Sequence, residues 1–302
     1  MVSLARIVHS SITGSVDRIL HMFVHMMKPS LLTPAPQLSN RTIARHPGAI
    51  TAPLPSCMQL LACLAVVICT ALGQSQAQST TEVEAQTAPA IVIGFVGGFV
   101  HSDDTRHSEV QLIQQLQANY GNTVRARVFE NRQRKQARKF ILDSIAASTG
   151  HKQSENDKAR TRIILFGHSW GASSVIYLAR DLQRDGLPVL LTVQVDSIRK
   201  HGEDDSNIPS NVSEAANFYQ TAGILHGRSK ITAFDPSQTT ILGNFQYQYA
   251  REPAACREYP WYNRLLFKGH TAIECDPHVW SQIAELIRMQ LPQSEVKLAA
   301  VR

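Results

Sequence analysis

The sequence predicts an α/β protein, a mostly parallel sheet flanked by helices, and three observations point there. Apolar runs of strand length alternate with segments of helical period along most of the 302 residues. A glycine-bounded turn, Gly167–Gly171, sits where one such run gives way to a helical pattern. The composition, 43% apolar and 18% charged, is that of an ordinary globular chain, which excludes wholesale disorder, collagen-like structure and coiled coil.

Taken in order, the apolar runs predict strands at Ala90–Phe95, Thr123–Phe129, Arg162–Phe166, Pro188–Val195, Lys230–Phe234 and Arg264–Phe267. Helical patterns fall between several of them. Ser108–Tyr120 stops at Gly121, a favourable residue just past a helix end, and Asn131–Ser148 aligns Phe140, Ile141, Ser144 and Ile145. Ala172–Arg184 gathers Val175, Leu178, Ala179 and Leu182 on one face. A last helix opens at Asp276-Pro277 and aligns Val279, Ile283, Leu286 and Ile287. Strands alternating with helices imply a parallel sheet covered on both faces.

Ahead of this domain lies a leader. Leu60–Leu72 carries no charge, is too short to span a membrane and suits the core of a signal peptide, with small residues from Gly73 to Ala77 offering a cleavage site. The predicted organisation is therefore a leader extension over 1–57, consistent with an over-called start, a signal peptide over 58–77, a linker over 78–89 and one domain over 90–302. Export to the periplasm or beyond follows, with membrane contact only through an uncleaved leader. The formal charge is +6, yet residues 1–77 hold five basic groups and one acid, leaving the rest near neutral. A nucleic-acid surface is not indicated. Of five cysteines only Cys256 and Cys275 lie beyond the leader. They could pair in an oxidising compartment or remain buried thiols. No Cys/His spacing suggests a zinc site.

The chemistry concentrates at Gly167-His168-Ser169-Trp170-Gly171. A tight strand-to-helix turn forces the serine into a strained conformation, lifts its hydroxyl above the sheet and aims the first helical N–H groups at an adjacent oxyanion. In that setting the pentapeptide resembles the nucleophile elbow of the α/β-hydrolase superfamily, and the resemblance extends over roughly Ala90–Gln290. With Val193-Gln194-Val195-Asp196-Ser197 it is similar to the lipase and thioesterase branches. The family's first two strands are absent, which implies a minimal core.

A serine hydroxyl needs an imidazole base oriented by a carboxylate. The resemblance implies the chain order Ser169, Asp196, His270. Asp196 ends the strand Pro188–Val195, and Asp235, after Lys230–Phe234, is the alternative acid. His270 is expected to follow the strand ending at Phe267. His278, in the first turn of the last helix, is the alternative base. The backbone N–H of Trp170 and that of Phe99, with Gly98 as an alternative, would form the oxyanion hole. Val96-Gly97-Gly98-Phe99 is the loop that would carry the second donor.

Other signals weigh less. Arg132, Arg134, Lys135, Arg138 and Lys139 read as a solvated helix surface. His101 and His107, with Asp103 and Asp104 between them, read as a pocket rim rather than a metal site, and His168 as a structural residue. The irregular stretch 198–227 is expected to form a cap with a helix around Val212–Gln220, and the aromatic cluster Tyr247, Tyr249, Tyr259, Trp261 and Tyr262 to line a pocket or pack under a loop. The expected activity is hydrolysis of an ester or thioester, the partner a small or lipid-like acyl compound, with no cofactor and no metal. An acyltransferase on the same triad and a catalytically silent binding protein are the alternatives.

Overall fold

A computed structural model describes residues 90–149, 158–200 and 202–291. The leader, signal peptide and linker, with Cys57, Cys63 and Cys69, lie outside the described residues. The chain divides into two units between Thr80 and Thr81, and every described residue belongs to the second.

β1 (Ala90–Val96) leads to α1 (Ser108–Tyr120), a short 3-10 turn and β2 (Val124–Glu130). These are followed by α2 (Arg134–Thr149), β3 (Ile163–His168), α3 (Trp170–Arg184) and β4 (Val189–Val195). The second half runs β5 (Asn207–Ile208), β6 (Val212–Gln220), β7 (Thr232–Ala233), β8 (Thr240–Tyr247), α4 (Trp261–Leu266), α5 (Lys268–Cys275) and α6 (Pro277–Gln290). Six strands form one sheet in the order β2-β1-β3-β4-β6-β8, and every pairing in it is parallel.

The alternation of side chains along a strand divides the core into two layers. Ala90, Val92 and Val96 of β1 join Ile164 and Phe166 of β3 beneath α1 and α6, which contribute Val110, Ile113, Leu116, Ile283 and Ile287. Ile91, Ile93 and Phe95, together with Ile163 and Leu165, face the opposite way into α2 and α3, where Ile141, Ile145, Val175, Leu178 and Leu182 meet them. Burying one such aliphatic side chain is worth about 1.5–3 kcal/mol, so both faces of the central strands favour apolar residues. After β2 the chain crosses back over β1 to form β3, and the direction of strand addition reverses between β1 and β3. In open parallel sheets a crevice forms at such a switch point, at the carboxyl ends of the strands.

The second half departs from the sequence expectations. Val212–Gln220 is not a cap helix but a nine-residue strand between β4 and β8. Its polar letters hide this because they fasten loops: Asn217 donates to Arg228 O at 2.9 Å, and Gln220 to Leu225 O at 3.0 Å. Lys230–Phe234 does not enter the main sheet. Only Thr232–Ala233 is extended, and it pairs with β5 in a separate two-stranded sheet. Arg264–Phe267 is helical rather than extended, most of it in α4. Two further strands are missing from the expected list, the short β5 and β8, a partly exposed edge whose mixed composition carries no core-strand signal.

Candidate active site

The carboxyl ends of β1, β3 and β4 meet at the switch point. Ser169 follows β3 directly, with φ 57° and ψ −126°. A non-glycine residue held there stores roughly 1–3 kcal/mol of backbone strain. The surroundings impose it: Ser169 N–H donates to Val195 O at 2.9 Å, and Ser169 O accepts from Ile198 N at 3.3 Å and Ser173 N at 3.3 Å. Gly171 lets the turn close, because a Cβ there would stand 2.3 Å from Phe95 O. The serine is buried, with 8% of its surface accessible.

The loop after β1 lies over this turn. A Cβ on Gly97 would fall 3.4 Å from Ser169 Cβ, and one on Gly98 2.8 Å from Trp170 Cε3. Phe99 also has a positive φ, 60°, and its ring lies 5.6 Å from that of Trp170. Trp170 is the first residue of α3, so its N–H has no partner within the helix. Asn131, just past β2, donates to Gly97 O at 2.7 Å. Its own carbonyl accepts from Ser174 Oγ at 2.7 Å and Lys200 Nζ at 3.0 Å. The glycine loop is thereby tied to α3 and to the segment after β4. Burial pushes the Lys200 ammonium down to about 8.

Asp196 directly follows β4 with φ 43° and is fully buried. Its Oδ2 accepts from His270 Nδ1 at 2.7 Å and Gln220 Nε2 at 2.8 Å, and its Oδ1 from Gly227 N–H at 2.7 Å. Burial pushes this carboxyl up, but the hydrogen bond and charge of His270, with Gln220, more than offset it. The group ionises below the ordinary aspartate value. The bond fixes His270 with Nδ1–H toward Asp196 and leaves Nε2 as the free ring nitrogen. His270 does not end a strand, as the sequence suggests; it occupies the first turn of α5, and Gly269 allows that helix to approach β6, since a Cβ there would lie 2.3 Å from Gln220 Oε1. His168 connects the two halves of the site: it precedes Ser169, and its ring lies 4.4 Å from that of His270. It is fully buried, and burial pushes its pKa down to about 4.

The structure therefore brings Ser169, Trp170, Phe99, Asp196 and His270 to one edge of the sheet. The two alternatives sit elsewhere in local roles. Asp235 closes the turn after β7, accepting from Ser237 N–H at 2.9 Å and Ser237 Oγ at 2.7 Å. His278 is exposed at the start of α6, where its N–H caps onto Asp276 at 2.9 Å. Sequence reasoning missed Asn131, Gln220 and Gly227, which orient the loop and the acid from distant segments. No local pattern marks a residue whose partner lies across the sheet.

Among the described residues, six parallel strands with a reversal beside a strained serine turn form one sheet flanked by helices. Several solved structures are similar. A thioesterase of the prodiginine pathway from Streptomyces coelicolor is 12% identical over 68% of this chain and 92% of its own, with a TM-score of 0.36. A YdeN-like hydrolase from Pectobacterium atrosepticum is 14% identical over 70% and 97%, with a TM-score of 0.33. Est1E from Butyrivibrio proteoclasticus is 12% identical over 68% and 89%, with a TM-score of 0.31. No protein-family model matches the chain, and no curated protein matches it.

Proposed function

We propose that the protein is a serine hydrolase of carboxylic esters or thioesters working through an acyl-enzyme. The observation that carries this reading is the buried 2.7 Å Asp196–His270 bond at the edge where a strained Ser169 follows β3. Ser169 Oγ would attack the acyl carbon while His270 Nε2 takes its proton. Asp196 would hold the imidazole in that tautomer and stabilise the imidazolium. The Trp170 and Phe99 N–H groups would receive the oxyanion. His270 would then protonate the leaving alkoxide or thiolate, and water, deprotonated by the same imidazole, would release the acid and restore Ser169. Exposed Phe99 beside the serine, with Trp261 and Leu265 on α4, supports an acyl partner with an apolar chain. Export is supported by the Cys256–Cys275 disulfide, a bond that persists in oxidising compartments.

The test is pre-steady-state hydrolysis of p-nitrophenyl esters of increasing chain length, with acyl-thioesters in parallel. An initial burst of nitrophenol equal to the enzyme concentration, absent in Ser169→Ala, supports the acyl-enzyme. Turnover retained in Ser169→Ala overturns it.

A further inference from the structure

Beneath the proposed active site lies a second cluster that the triad does not use. His107 precedes α1, Glu109 lies in its first turn, and Glu274 lies near the end of α5; all three are buried. We propose that His107, Glu109 and Glu274 bind a divalent transition-metal ion of the zinc type. Each offers one ligand atom, and the three atoms lie within 4.8 Å of one another. Around a tetrahedral zinc with bonds of about 2.0–2.1 Å, ligand atoms stand about 3.3 Å apart, so small side-chain rotations suffice to gather them.

An independent observation points to a cation. Both carboxylate oxygens of Glu109 are fully buried and accept no hydrogen bond. An unpartnered carboxylate in such a place costs several kcal/mol, and here a second buried carboxylate stands beside it. A divalent cation bound between them would displace the protons held there and take two carboxylates and a neutral imidazole as ligands. That leaves a fourth position for water.

The surroundings fit a built site. His107 turns Nδ1 toward Glu274 Oε1, with which it forms an ion pair, while its Nε2 lies 3.7 Å from Asp104 Oδ2. The main chain of Glu274 is held on two sides: its carbonyl accepts from Ser108 Oγ at 2.8 Å and from Trp280 Nε1 at 2.5 Å. The next residue, Cys275, is fixed by the disulfide. The other Glu274 oxygen lies 3.4 Å from His168 Nδ1, and the His168 ring nitrogens have no hydrogen-bond partner. A metal here would fasten α5, which carries His270, to the start of α1. It would act through position, and the ester chemistry would not pass through it. The segment 101–107, read from sequence as a pocket rim, would supply one ligand, His107.

The experiment loads the full chain, free of any affinity tag, with Zn2+ after chelator treatment, removes excess ion, and measures bound zinc and the thermal midpoint. The expected result is about one zinc per chain and a midpoint raised by Zn2+, both lost in Glu109→Gln. Circular dichroism shows that the variant is folded. Folded wild-type protein that retains no zinc overturns the proposal. So does equal zinc retention in Glu109→Gln.

Discussion

At the scale of single residues, Asp196 decides most. It accepts three short hydrogen bonds while fully buried, and in the proposed mechanism it works by staying ionised beside His270. Asp196→Asn preserves shape but offers His270 the wrong partner, and the expected loss in kcat is about 10³–10⁴-fold. Folding lowers the carboxyl's pKa below its ordinary value of 3.8. Its ionisation therefore stabilises the fold above pH 3.8, and that contribution is lost as pH falls through the folded value. Acid titration of the denaturation midpoint should show a fall below about pH 4 that is shallower in Asp196→Asn; identical acid limbs would refute the assignment.

Among elements, the β3–α3 turn and β6 carry opposite lessons. The turn was legible: glycines at 167 and 171 flanking a serine, between an apolar run and a helical face, have one common structural solution. Ser169 adopts the strained backbone expected there. Because that strain is stored at φ 57°, Ser169→Gly should raise stability by about 1 kcal/mol while abolishing turnover, read by denaturant midpoint and ester assay. Gly171→Ala should do the reverse to the fold, since its Cβ would meet Phe95 O at 2.3 Å. Loss of several kcal/mol is expected, and a neutral effect on the midpoint would exclude this packing. β6 was illegible for a physical reason. Asn217 and Gln220 are buried, and their side chains bond to loops, so the strand reads as polar although it sits inside the sheet. The reverse misleads ahead of His270: Leu265-Leu266-Phe267 reads as a short apolar strand, yet Leu265 and Leu266 are exposed in α4.

For the molecule as a whole, the first half of the sheet followed from its apolar runs, because β1, β3 and β4 are buried on both faces. The second half depends on polar contacts between distant segments, which a linear pattern does not display. There the Cys256–Cys275 bond closes a loop over a sequence separation of 19 residues and ties the segment before α4 to the end of α5. On the chain-entropy account a loop of this size contributes about 3 kcal/mol. Replacing both cysteines with alanine should lower the thermal midpoint by roughly 6–12 °C for a domain of this size, and an unchanged midpoint would count against that account.

The central claim is that Ser169 is an activated nucleophile, and fluorophosphonate labelling mapped by mass spectrometry tests it most directly. The account predicts a single adduct on Ser169 in folded protein, absent in Ser169→Ala and strongly reduced in His270→Ala. Folded wild-type protein that takes no label, or label retained in Ser169→Ala, would contradict it.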